Sequence, residues 1–184
     1  AESLSGADLY GAYLIDAYLT DANLEGANLS GANLIRAYLI DAYLTDANLI
    51  RAYLTDANLS GANLIRAYLT DANLRGANLK GASLGFACLR GADLTGTYLT
   101  GAYLTGAYLT NANLGNADLS GANLEGANLT RANLEGANLE GAKLIGADLY
   151  GVNLTNIKYN KNTVWPKGFK PTSARWGLSP SSPD

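Results

Sequence analysis

Ala52-Tyr53-Leu54-Thr55-Asp56-Ala57-Asn58-Leu59-Ser60-Gly61 holds one five-residue pattern written twice: alanine, a polar or aromatic residue, leucine, then two small or polar residues. Followed in both directions, leucine keeps every fifth position from Leu4 to Leu154, 31 times without a slip of phase. Alanine stands two residues before each leucine except at Glu2, Thr97 and Val152. Neither regular element accepts this spacing. In an α-helix five residues advance about 500°, so successive leucines drift by roughly 140° around the cylinder and build no stripe. In a strand an odd spacing sends them alternately to opposite faces. The chain must therefore turn once per repeat, with Ala and Leu pointing inward together. The two residues after Leu then form a corner, where Gly, Asn and Asp suit turn conformations.

The charges at the last repeat position test how many sides a coil has. With neighbouring coils about 4.8 Å apart, stacked residues touch. Four repeats per coil make neighbours of Asp16 and Arg36, Arg36 and Asp56, Asp46 and Arg66, and Arg51 and Asp71, against one like pair, Asp21 and Asp41. Three per coil invert the result, stacking Arg36 on Arg51 on Arg66 and Asp41 on Asp56 on Asp71. Five per coil stack Asp16 on Asp41 and Asp21 on Asp46 on Asp71, and match only Asp41 with Arg66. The charges favour a square coil.

In blocks such as Ala22-Asn23-Leu24-Glu25-Gly26 and Ala122-Asn123-Leu124-Glu125-Gly126, the chain resembles the pentapeptide-repeat family, in its cyanobacterial type. The resemblance implies an all-β fold, a right-handed quadrilateral β-helix with four repeats per coil, and it supplies the handedness independently of the charges. Residues 1–156 would then make about eight coils, the last incomplete, in a rod of ~37 Å at sheet spacing. Ile157, Tyr159, Trp165, Phe169 and Trp176 gather bulk where the repeat ends. A solenoid's open end needs a cover, so residues 157–178 are expected to form a C-terminal cap. Thr163-Val164-Trp165-Pro166-Lys167-Gly168-Phe169 also resembles the tail of many cyanobacterial members. Residues 179–184, with two prolines, are expected to be a disordered tail.

Composition excludes most chemistry. The chain contains no histidine, which removes the commonest general base and metal ligand, and Cys88 is its one cysteine, so no site of the Cys/His metal type can form. Asp16, Asp21, Asp41, Asp46, Asp56 and Asp71 sit at outer corners without the desolvated cleft that tunes a catalytic pair. Glycines recur as corners rather than as a phosphate loop. Neither an enzyme, nor a cofactor, nor a metal, nor a small-molecule substrate is expected. No apolar run approaches the length of about 18 residues that a membrane span needs. The compartment is left open by the sequence: cytoplasmic, or thylakoid lumen or periplasm if Ala1 marks a processed N-terminus.

Two functional classes remain, and the resemblance supplies a fold but no defined activity for the first. The first is a protein-interaction module that presents a rod-shaped surface to an unknown protein partner. The alternative is a DNA-mimicking inhibitor of a DNA-binding protein such as DNA gyrase, as some family members are. Charge density argues against the alternative. Residues 1–156 hold 15 acidic and 8 basic side chains, a net of −7, and residues 157–184 hold 1 and 5, a net of +4. Duplex DNA of ~37 Å carries about 22 negative charges. Direct nucleic-acid binding is not expected either.

The place to look for a partner is where the repeat loses regularity, at Ser83, Gly85-Phe86, Cys88 and Thr97. Phe86 takes a corner otherwise held by Gly, Asp, Arg or Asn. On a square coil its neighbours are Arg66 and Gly106, and Cys88 lies between Tyr68 and Tyr108. Ile65, Arg66, Tyr68, Phe86, Cys88 and Tyr108 would share one edge, an apolar and aromatic candidate interaction patch with the composition of an interface hot spot. The competing structural reading lays Phe86 flat over Gly106, shielding the backbone and stacking on Arg66. Thr97, standing at an alanine position, needs a partner for its hydroxyl.

Overall fold

The computed structural model describes residues 3–171, and Trp176 and the 179–184 tail lie outside the described residues. Parallel bridges join residues twenty apart, from Asp8 with Asn28 to Asn138 with Lys158. Twenty residues are four five-residue repeats, so each repeat forms one side of a square coil and stacks on the equivalent side of the next. The charge test on the corners reached the same register.

Why the repeat is five residues long follows from where its backbone groups go. Around Leu54, the Leu54 N–H donates to Asn73 O at 2.7 Å and the Asp56 N–H to Arg75 O at 2.9 Å, both one coil onward. The Ala57 N–H closes the corner on Leu54 O at 3.0 Å, and the Asn58 N–H reaches back to Ala37 O at 2.9 Å. One amide per repeat is left over, that of the residue after leucine. A side chain takes it: the Ser60 N–H donates to Asn58 Oδ1 at 3.2 Å. The same bond recurs from Tyr10 onto Asp8 to Thr155 onto Asn153. An Asn or Asp before leucine thereby satisfies a donor that the ladder cannot. Axial amide bonds also form, as from Asn133 Nδ2 to Asn113 Oδ1 at 3.0 Å.

Every residue at the last repeat position from 6 to 156 has a positive φ, between 53° and 70°. The corner is a four-residue turn closed by the Ala amide on the Leu carbonyl, and a positive φ at its third residue is what a type II turn demands. Glycine enters that region freely, whereas another L-residue there costs about 1–2 kcal/mol. Inside, Leu and Ala from Leu24 to Leu144 form one column of buried side chains, with Leu4, Leu9, Leu14 and Leu19 partly buried at its N-terminal end. Thr97 is fully buried, and its Oγ1 donates to Leu94 O at 2.8 Å, which supplies the expected partner.

Beyond residue 156 the inward positions grow larger. Ile157 and Tyr159 flank Lys158, which still pairs with Asn138. The next bridge, Lys143 with Val164, spans twenty-one residues, so one residue has been inserted. A turn at Asn160 absorbs it, with the Asn160 N–H donating to Thr163 Oγ1 at 3.1 Å and the Thr163 N–H to Asn160 O at 3.0 Å. Thr163 thus occupies an alanine position one residue late, and its Oγ1 donates to Leu139 O at 2.8 Å. As at Thr97, a threonine replacing alanine hands its hydroxyl to a backbone carbonyl. Trp165 falls at the leucine position and meets Tyr159 edge-on at 5.5 Å and Phe169 at 5.4 Å between ring centroids.

Candidate interaction surface

A corner side chain projects from a left-handed backbone, and it has a neighbour only above or below. The Arg36 guanidinium grips Asp16 with two bonds, Nε to Oδ1 at 2.8 Å and Nη2 to Oδ2 at 2.7 Å. Arg66 grips Asp46 likewise at 2.7 and 2.6 Å. These bonds lower the pKa of Asp16 and Asp46 from the ordinary carboxylate value. Asp56 does not complete the expected triad by contact. Its carboxylate leans the other way, over Gly76, as those of Asp41 and Asp71 lean over Gly61 and Gly91. A missing side chain one coil onward leaves the space that the carboxylate fills.

The edge singled out by the broken repeat is assembled by the same register. Bridges place Cys88 between Tyr68 and Tyr108. The Arg66 N–H donates to Gly85 O and the Phe86 N–H to Thr105 O, which stacks Arg66, Phe86 and Gly106 on the adjoining corner, with Ile65 one residue before Arg66. Phe86 holds a φ of 57° and its ring lies against Gly106, where an added methyl would stand 2.5 Å from Cε1. Even so the side chain remains 58 % exposed, beside Tyr68 at 51 % and Tyr108 at 49 %. Arg66 does not stack on the ring, because its guanidinium is engaged by Asp46 on the opposite side. The edge is therefore more apolar than its composition suggested. The Cys88 thiol is half-buried and shares a hydrogen bond with Thr70 Oγ1 at 3.3 Å.

One contributor was missed in the sequence. Gly85 replaces a side chain on the residue after leucine, and a Cβ there would meet Ile65 Cγ1 at 3.9 Å. The signal was present, since glycine is rare at that position, but it reads as part of the irregularity until the neighbouring coil is known. Elsewhere Tyr18 and Tyr38 stack face to face, with centroids 4.9 Å apart and planes within 3°. Among the described residues no group of His, Cys, Asp or Glu is placed to hold a metal ion, and no helix is long and apolar enough to cross a membrane.

A four-sided parallel β-solenoid with Leu and Ala inside and turn residues at every corner defines a narrow class of proteins. The family model for pentapeptide repeats, in eight copies, matches residues 3–39, 47–85, 57–96, 87–126 and 117–156. The chain belongs to the pentapeptide-repeat family, whose fold is a right-handed β-helix. It is similar to the crystal structure of HetL, described as a pentapeptide repeat protein involved in heterocyst differentiation regulation from the cyanobacterium Nostoc sp. strain PCC 7120. That likeness has 43 % identity over 84 % of this chain and 70 % of HetL, with a TM-score of 0.82. It is similar also to QnrB1, described as a plasmid-mediated fluoroquinolone resistance protein, at 22 % identity over 79 % of each chain with a TM-score of 0.65. The second likeness shows the fold alone. No curated protein matches the chain.

Proposed function

We propose that this chain is a non-enzymatic protein-interaction module, a rod of about eight coils, the last incomplete, that recognises a protein partner along the Phe86 edge. One observation carries the reading. Phe86 is the one apolar residue at the corner positions 6–156, it holds a left-handed backbone that costs about 1–2 kcal/mol, and it leaves most of its ring in water. Covering Gly106 recovers part of that cost. The corners before and after it in the chain, Gly81 and Gly91, and Gly106 one coil onward are closed by glycine alone, so the fold itself does not require an aromatic there. An exposed aromatic with Tyr68, Tyr108 and Ile65 around it, and no side chain at Gly85, fits a partner's apolar side chain. The involvement of HetL in regulation accords with recognition rather than catalysis. In this reading residues 1–156 are the working rod, and Tyr159, Trp165 and Phe169 cap its C-terminal end, residues 172–178 of the expected 157–178 cap lying outside the described residues.

The DNA-mimic reading is not favoured. The identity with QnrB1 is too low to transfer a target, and the rod's −7 falls well short of a duplex. Its corner carboxylates at Asp16 and Asp46 are neutralised by arginine. The test is capture of a protein from a lysate of the source organism on immobilised chain. Phe86→Ala with Tyr108→Ala should abolish capture of the partner while the melting temperature stays nearly unchanged. Captured partner with a destabilised rod would assign Phe86 to structure instead. Inhibition of gyrase supercoiling would favour the alternative.

A further inference from the structure

The side of the rod diagonally away from Phe86 carries charges in an order that the fold does not need. Its middle column runs through Asn78, Tyr98, Asp118 and Asn138, joined by successive bridges. Arg75 and Glu135 stand on one bordering edge, in the same column, with Thr95 and Gly115 between them. Lys80 and Glu140 stand on the other, with Thr100 and Ser120 between. On both edges a cation is followed by an anion sixty residues later, which is three coils or ~14 Å. All four side chains are exposed. The separation exceeds a Debye length of ~8 Å at physiological salt, so the two bands are largely screened from each other within one chain. Arg75 has a hydrogen-bonded partner at 3.3 Å in Asp93, which stands in the middle column of the adjoining side and must release it to pair across an interface, and Lys80 rests over the Tyr98 ring at 5.5 Å.

We infer that this side is a docking surface for a second copy of the chain, lying antiparallel. A two-fold axis in the plane of the side, across the rod and midway between Tyr98 and Asp118, reverses the axial order while keeping each edge against its own equivalent. Arg75 then faces Glu135 of the second copy and Lys80 faces Glu140, and symmetry makes each pairing twice. Tyr98 faces Asp118, and Asn78 faces Asn138. Parallel pairing about an axis along the rod would set Arg75 against Lys80 and Glu135 against Glu140, which like charges disfavour. Of the four sides, this one alone has the cation-then-anion order at the residue after leucine on both edges. Its corners also permit close approach: Gly81, Gly96, Gly101 and Gly121 have open space where a side chain would stand. The Phe86 edge faces outward on each rod in such a pair and stays free.

One side of a thin rod is small beside the ~800 Å² per partner of a standard interface, so the pair is weak and governed by salt. Sedimentation equilibrium on the full chain tests it. The expected result is a concentration-dependent dimer at ~50 mM salt that dissociates at ~500 mM. Arg75→Glu with Lys80→Glu should raise the dissociation constant about tenfold or more, and so should Glu135→Arg with Glu140→Lys, without lowering the melting temperature. Mixed together, the two reversed variants should associate, because every contact is again between opposite charges. Three results would overturn the inference: a monomer at all concentrations, a dimer indifferent to either reversal, or a mixture that associates no better than its components.

Discussion

The front and rear of the rod share one core and differ at their corners. Of the seventeen corner positions from 6 to 86, ten carry a non-glycine residue at positive φ, whereas from 91 to 156 only four of fourteen do. The rear shows that glycine satisfies the turn. The front therefore bears backbone strain for what its side chains do outside, and they do different things: Arg36 and Arg66 bind a carboxylate, Asp41, Asp56 and Asp71 cover a glycine, and Phe86 presents an aromatic ring. Surface chemistry concentrates in the front, and smooth edges in the rear.

If the difference is confined to the surface, the core must be equivalent in both regions. Leu64→Ala in the front and Leu124→Ala in the rear should each cost about 2–5 kcal/mol, and by similar amounts, from the lost transfer and the cavity. Urea unfolding would check this, and a silent change at either site would refute the inward assignment of leucine there. A smaller effect separates corner strain from crowding. Gly121→Ala meets nothing within 4 Å, so it should cost only the left-handed penalty of about 1–2 kcal/mol. Gly106→Ala must also displace the Phe86 ring and should cost more, and the excess should vanish when Phe86 is alanine too. Equal losses at Gly121 and Gly106 would remove Phe86 from its place over Gly106.

The smallest effect belongs to the ion pairs of the front. The Asp46 pKa is lowered, chiefly by its hydrogen bond with Arg66. A folded-state pKa below the unfolded one gives stability that is present above the ordinary carboxylate value and is lost as pH falls through the folded value. Asp46→Asn should thus be slightly less stable than the parent at neutral pH, with the gap closing in acid. Denaturation midpoints of the two proteins across that range would show it, and a gap that widens as pH falls would contradict the sign.

Much of this was legible in the sequence because the repeat over-determines it. Leucine at every fifth position excluded helix and strand, and Asp16, Arg36, Asp46 and Arg66 gave the four-sided register before any coordinate. What was not legible depends on directions that spacing does not encode. Asp56 is twenty residues from both Arg36 and Gly76, and only the structure shows its carboxylate over the glycine. Asparagine before leucine recurs in the sequence, but its bond to the amide two residues on is a local geometry set by the turn, which spacing does not show. The tail was hardest, since one inserted residue near Asn160 shifts Thr163 and Trp165 out of phase and hides that they continue the inward pattern. Of the candidate patch, the stacking of Tyr68, Cys88 and Tyr108 follows from the four-sided register, while the contact of Gly85 with Ile65 and the engagement of Arg66 by Asp46 needed the neighbouring coils.

Recognition along the Phe86 edge is tested most directly by hydroxyl-radical footprinting of the chain with and without its captured partner. Tyrosine and phenylalanine are both readily oxidised, and the rod displays them on every side, so it carries its own controls. The account predicts that protection falls on Tyr68, Phe86 and Tyr108, while Tyr18, Tyr38 and Tyr98 are oxidised as before. Protection centred on Tyr18 and Tyr38, or on Tyr159 and Trp165 at the C-terminal end, with Phe86 still open to oxidation, would contradict it.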